Sequence, residues 1–211
     1  EAISAGPTGL INGVHSTSSV YAHTIQNSTI DKNAYYQTIS GSTVTGTLFP
    51  GSSDQPTTTL PISDEMIETW KDEAAAGGTI SSPCPYKITS GSVTLGPIKI
   101  NCDFEVSNTA TITLNGPVWV SGDINFANTA TFTVGSPLQN KSAPIIADNP
   151  ADRLTSSRIT LQNSTTYIGN GTNSFILLLS QNRSAEAGGS EVAIDVKNSA
   201  SGALLVYAGH G

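Results

Sequence analysis

Two aspartates twenty residues apart, Asp103 and Asp123, are the best-placed candidates for chemistry, with Glu105 and Asn125 two positions beyond them. Oxygens stacked this way suit Ca²⁺, a hard cation that gathers six to eight oxygen ligands. A carboxylate pair also suits glycoside hydrolysis, in which one acid protonates the leaving oxygen and the other serves as base. The plainest reading is two solvated carboxylates at equivalent positions of a repeat. Three scattered His and two Cys do not give the ligand spacing of a zinc site. No nucleophile elbow, phosphate loop or dinucleotide fingerprint occurs, so no other catalytic residues are expected and no cofactor beyond the calcium option.

Hydroxyls form a second pattern. Ser90, Ser92 and Thr94 are followed by Thr109, Thr111 and Thr113, then by Thr129, Thr131 and Thr133. Such an outward Thr lattice resembles the arrays of solenoidal ice-binding proteins and offers a flat glycan-binding face. Thr is equally a good outward strand residue with no further role. Lys99 and Trp119 recur at equivalent positions in PIKI and PVWV. Exposed, they would make a sugar-stacking or adhesive spot; the alternative is a face covered by a helix or loop.

These residues are positioned by a repeat. LGPIKINCDFEVSNTATITL, from Leu95, aligns without gaps on NGPVWVSGDINFANTATFTV, from Asn115. A fixed period of about 20 is the mark of a solenoid, each repeat one turn on its neighbour. Within a block apolar residues alternate with the strand period of two, so Phe104, Val106, Ile112 and Leu114 point inward. PCPYKIT matches NCDFEVS upstream, which sets Tyr86 on Phe104, Lys87 on Glu105 and Cys84 on Cys102. Cysteines on neighbouring coils lie within disulfide reach. Downstream, ITLQN and AIDVKN extend a predicted ladder of buried corner asparagines through Asn108, Asn128, Asn163 and Asn198, since a side-chain amide both donates and accepts.

The fold expected is mainly β, a right-handed parallel β-helix (β-solenoid) of about 20-residue coils with one covering α-helix. Residues 1–62 read as irregular first coils and a Pro/Ser/Thr-rich linker, TLFPGSSDQPTTTLP. Residues 63–78 form the helix, with Ser63 as N-cap, Gly77 as C-cap and Met66, Ile67, Trp70 and Ala74 as the apolar face. Residues 79–211 are the solenoid, in one continuous domain with what precedes them.

Composition bounds the partners. The net charge is −7 and only 12% of the 211 residues are charged, which argues against a nucleic-acid surface. No apolar run is long enough to span a membrane in this segment, and Glu1–Gly6 reads as mature or trimmed chain without a signal peptide. Two cysteines in an acidic, Ser/Thr/Asn-rich chain fit an oxidising, exported setting.

The succession TWKDEAAAGGT, LGPIKI, VSNTATITLNGPVWVSGDI, APIIAD, SFILLLS and KNSASGALLVYA resembles the exported β-solenoid region of uncharacterised bacterial pilin-like cell-surface proteins of candidate-phylum type, over roughly residues 60–208. The family's Ser-Asn-Asn-Ala corner is replaced here by Ser107-Asn108-Thr109-Ala110 and Asn198-Ser199-Ala200. The resemblance implies an extracellular, non-enzymatic structural or adhesive module of a pilus or cell envelope. Its partners would be other surface or pilus subunits, or surface glycans. The alternatives are a carbohydrate-active β-helix enzyme on acidic polysaccharide, with Asp103 and Asp123 as acid and base, and an ice- or glycan-binding Thr lattice. GALLVYAGHG stops with its strand pattern still running, so either further coils follow it or an open edge there pairs with another molecule and allows self-association.

Overall fold

The computed structural model describes residues 3–56 and 62–210. The chain divides into two compact units, Glu1–Pro61 and Ile62–Gly211, where the sequence suggested one continuous domain. Each unit has its own apolar core, one around Ile25 and Ile30 and the other around Phe104 and Phe126.

In the second unit the chain winds through three parallel sheets in turn. The cleft sheet stacks Tyr86–Ile88, Phe104–Val106, Ile124–Phe126, Ile159–Leu161 and Ile194–Val196. The threonine sheet stacks Ser92–Leu95, Thr111–Leu114, Thr131–Val134, Thr166–Ile168 and Ser201–Gly202. The helix-covered sheet runs from Thr79–Ile80 through Ile98–Ile100, Val118–Val120, Ala143–Ala147 and Ile176–Ser180 to Leu204–Ala208. The architecture is a parallel β-solenoid. Strands this short bury little apolar area alone, so each coil depends on those above and below it.

Registers match like on like. Phe104 pairs with Ile124 and Val106 with Phe126; Ile112 pairs with Phe132 and Leu114 with Val134. The interior is mainly aliphatic with four aromatic rings among its buried side chains: Phe104 meets Phe126 edge-on at 5.5 Å, and Phe132 stacks on Tyr167 at 5.3 Å. Tyr86 lies on Phe104 and Lys87 on Glu105. A disulfide joins Cys84 to Cys102, with Cα atoms 5.9 Å apart.

Corners are set by asparagine. Asn108, Asn128, Asn163 and Asn198 all take positive φ, between 57° and 64°. Most L-residues resist this region by roughly 1–2 kcal/mol, and Asn tolerates it best after Gly. The Nδ2 of Asn128 donates to Asn108 Oδ1 at 2.8 Å, Asn163 to Asn128 at 3.0 Å and Asn198 to Asn163 at 3.2 Å. The ladder lies at the surface rather than buried, because its side chains project from tight turns. Its step is 20 residues at first and 35 thereafter. The later coils are longer because insertions leave the corners, notably 148–158 and 181–193.

Helix α1 (Asp64–Ala76) begins where the Ser63 side chain accepts the Met66 N–H and ends at Gly77. Its buried stripe is Ile67, Lys71 and Ala74, spaced for one helical face. Met66 points to solvent instead.

The first unit corrects the expectation of irregular coils: it is a second solenoid with its own period. Val20–Gln26 pairs with Ala34–Ser40 at an offset of 14, and Ser28 accepts from Val14 N across the same interval. Tyr21, Tyr35 and Phe49 form a face-to-face stack, with centroids 4.3 and 4.4 Å apart. Leu48–Pro50, expected in the linker, is a strand of this unit. Residues 57–61 of the expected linker lie outside the described residues.

Two stability changes follow. Asn128→Ala combines αL strain with loss of two ladder bonds and should cost about 2 kcal/mol, Asn128→Gly about half that, measured by urea denaturation. Cys84→Ser/Cys102→Ser, which opens an 18-residue loop, should cost about 3 kcal/mol in the same assay.

Candidate functional site

The outward face of the cleft sheet carries the aspartates. Asp103 and Asp123 enter equivalent strands, and the next coil places Arg158 at the same position. Each aspartate is used by the coil that follows. Asp103 Oδ1 accepts the Asp123 N–H at 2.8 Å, and Asp123 Oδ1 accepts the Arg158 N–H at 3.0 Å. The Arg158 guanidinium also forks onto Asp123 Oδ2, through Nη2 at 2.7 Å and Nε at 3.1 Å, and reaches Glu191 through Nη1 at 2.6 Å. The hydrogen bond to Asp123, followed by its charge and by Glu191, keeps the guanidinium above its ordinary range despite partial burial.

This geometry bears on the proposed chemistry. Both Asp123 oxygens accept hydrogen bonds from Arg158, and among the described residues no group of three or more His, Cys, Asp or Glu is arranged to hold a metal ion. Glu105 lies two positions past Asp103, salt-bridged to Lys87 at 2.9 Å. The same column continues through Asn125, Thr160 and Asp195, and Lys197 pairs with Asp195 at 3.0 Å. Together with the 190–192 segment these residues line an open cleft of about 490 Å³. Arg158 and Glu191, which complete it, were not singled out from sequence. They lie beyond long insertions, where the period no longer locates them.

Lys99 and Trp119 share one column of the helix-covered sheet. Trp119 is not an open platform. The Lys99 ammonium sits 3.9 Å from its ring centre, Lys71 of α1 lies 4.8 Å away, and its Nε1 donates to the Asp148 carbonyl at 2.8 Å. The helix packs Ile67 against Ile146 and Leu179 further along the same face.

Under the helix lies a charge cluster that sequence gave no sign of. Asp148 is fully buried, its carboxylate 2.6 Å from Lys71 Nζ and bonded by Arg153 through Nε at 2.7 Å and Nη2 at 2.9 Å. Lys71 also reaches Glu68 at 2.8 Å. Burial pushes the Asp148 carboxyl up, but the hydrogen bonds from Arg153 and Lys71 outweigh it and hold it below the ordinary range. The cluster fastens the helix to the 148–158 insertion.

The hydroxyl lattice is narrower than the sequence implied. Thr111 and Thr131 pair between Ser92 and Thr166, and Thr113 pairs with Thr133 beside Thr94. Thr109 and Thr129 lie in the corner turns, off the sheet, and the Thr129 hydroxyl donates to Asn108 O at 3.0 Å. Ile168 ends the second column. Leu204–Ala208 is the outer strand of its sheet among the described residues, and its Leu205 and Val206 are about half exposed, at 47% and 49%. No described helix is long and apolar enough to cross a membrane.

The buried cluster gives a pH prediction. Asp148 has a lowered folded pKa, so its contribution is complete above the unfolded value of about 4 and is lost as pH falls through the folded value. Asp148→Asn should cost about 3 kcal/mol at pH 7, because Lys71 and Arg153 lose their buried counter-charge. Urea denaturation from pH 7 to 2.5 should show a shallower loss below pH 4 in the variant than in the parent.

Comparison with protein-family models gives no match, and no curated protein or solved structure is significantly similar to the chain.

Proposed function

We propose that this chain is a non-enzymatic structural or adhesive module of a bacterial pilus or cell surface, engaging other surface subunits or surface glycans. The observation that carries the reading is how the Asp103/Asp123 pair is used. A hydrolase needs one carboxyl free to give a proton and another free to activate water or attack. Here Asp123 is held by Arg158, and Asp103 accepts the backbone N–H of the next coil. Both serve the stack.

Three further features support it. The Cys84–Cys102 disulfide suits an oxidising compartment outside the cytosol. A solenoid is a stiff, extended scaffold whose faces repeat at the coil spacing, which suits display and lateral contact. The resemblance of the helix and coil sequences to pilin-like surface proteins points the same way.

A turnover screen on neutral and acidic polysaccharides, read by reducing-end release, tests the reading. No release above a heat-denatured control is expected. Release that disappears in Asp123→Asn would make the chain an enzyme and overturn the proposal.

A further inference from the structure

Asparagine, which builds the corner ladder, is also a chemically labile residue. Its side-chain amide can be attacked by the backbone nitrogen of the residue that follows. A bond forms from that nitrogen to Cγ, ammonia leaves, and water opens the resulting succinimide to aspartate or, more often, isoaspartate. No enzyme, oxidant or cofactor is consumed. The step is fast where the next residue is glycine, since a Cβ hinders the approach. It also needs that nitrogen unbonded and wetted, so that it can give up its proton.

Three Asn-Gly pairs occur: Asn12-Gly13, Asn115-Gly116 and Asn170-Gly171. The ladder asparagines are outside this set, because Asn108 and Asn128 precede Thr while Asn163 and Asn198 precede Ser. The structure then separates the three. Gly13 N–H donates to Gln26 O at 3.1 Å, and Asn12 Oδ1 accepts from Asn27 Nδ2 at 3.1 Å, so nucleophile and amide are both engaged. Gly116 is buried against Pro97, close enough that a Cβ would lie 2.7 Å from the proline nitrogen. Gly171 differs from both. It is exposed, and its N–H has no acceptor among the described residues. Its φ of 124°, and the Asn140 side chain that a Cβ would strike, require glycine there.

Asn170 also holds the coil. Its Nδ2 donates to Gly135 O on the preceding coil at 3.3 Å and its N–H to Ser174 Oγ at 3.0 Å, while Ser174 Oγ donates to Lys141 O at 2.8 Å. Deamidation would replace the donor with an acceptor facing the Gly135 carbonyl, and isoaspartate would lengthen the main chain as well.

We infer that Asn170-Gly171 is a self-modification site, whose spontaneous deamidation releases the 169–175 corner from the 135–142 corner beneath it. The inference goes beyond the adhesive reading and does not depend on it.

Incubation of the intact chain at physiological temperature, at pH 8 and pH 5, followed by peptide mapping with mass spectrometry tests it; a chain kept unfolded in urea serves as the reference. In the folded chain at pH 8, Asn170 should be lost at least about tenfold faster than Asn12 or Asn115, and in urea all three at similar rates. Loss should slow at pH 5, where the attacking nitrogen is less readily deprotonated. Amide hydrogen exchange of the aged chain should show protection lost at 135–142 and 169–175 alone, and Asn170→Asp should reproduce this without incubation. Asn170 surviving in the folded chain while the urea reference converts, or Asn12 or Asn115 keeping pace with it, would overturn the site. Conversion that leaves exchange at both corners unchanged would overturn the release.

Discussion

Everything in the second unit follows from one constraint: a side chain on one coil sits directly over its counterpart on the next, about 4.8 Å away. Whatever occupies a column must therefore be compatible with itself or with a chosen partner. Apolar columns meet this easily, and Phe104, Phe126 and their neighbours fill the interior. Among polar side chains asparagine meets it best, since one amide donates upward while accepting from below. That is why Asn108 can be followed by Asn128, Asn163 and Asn198 at the same corner.

Charged columns cannot repeat in this way. Two carboxylates about 5 Å apart repel by roughly 1–3 kcal/mol, depending on the local dielectric. The aspartate column accordingly runs for two coils and then changes to Arg158, which neutralises the second of them. Lys87 lies over Glu105, and Lys99 over the ring of Trp119, for the same reason. The cleft is thus a consequence of stacking rather than an addition to it. The pairing is incomplete: five carboxylates line the cleft against Arg158 and Lys197, so what faces solvent keeps a net negative charge.

How much of this was legible depended on distance along the chain. The contiguous repeats from Leu95 to Val134 carry the 20-residue period openly, and with it the direction of each side chain; PCPYKIT upstream extends the register to the disulfide at a step of 18. Past Val134 the insertions stretch the ladder step to 35, so Arg158 cannot be placed over Asp123 by counting. The 14-residue period of the first unit was present in VYAHTIQ and AYYQTIS and in NSTI and GSTV. It was obscured because the matching blocks are only seven and four residues long, although five of their eleven positions are identical. Lys71 and Asp148 were illegible for another reason: a lysine on an apolar stripe is recognisable as buried only once its counter-charge is known, and that partner lies 77 positions away on a loop. Thr109 and Thr129 were misplaced on the sheet because alternation alone does not reveal where a strand gives way to a turn.

The stacking register itself is open to a direct measurement. Cysteine pairs introduced at Thr113/Thr133, which are Cα partners on adjacent coils, should oxidise to completion, whereas Thr113/Thr131, displaced by two residues, should not. Mass spectrometry of the oxidised chains would distinguish the two. Closure of the displaced pair, or failure of the matched one, would contradict the layered arrangement on which the cleft, the ladder and the proposed function depend.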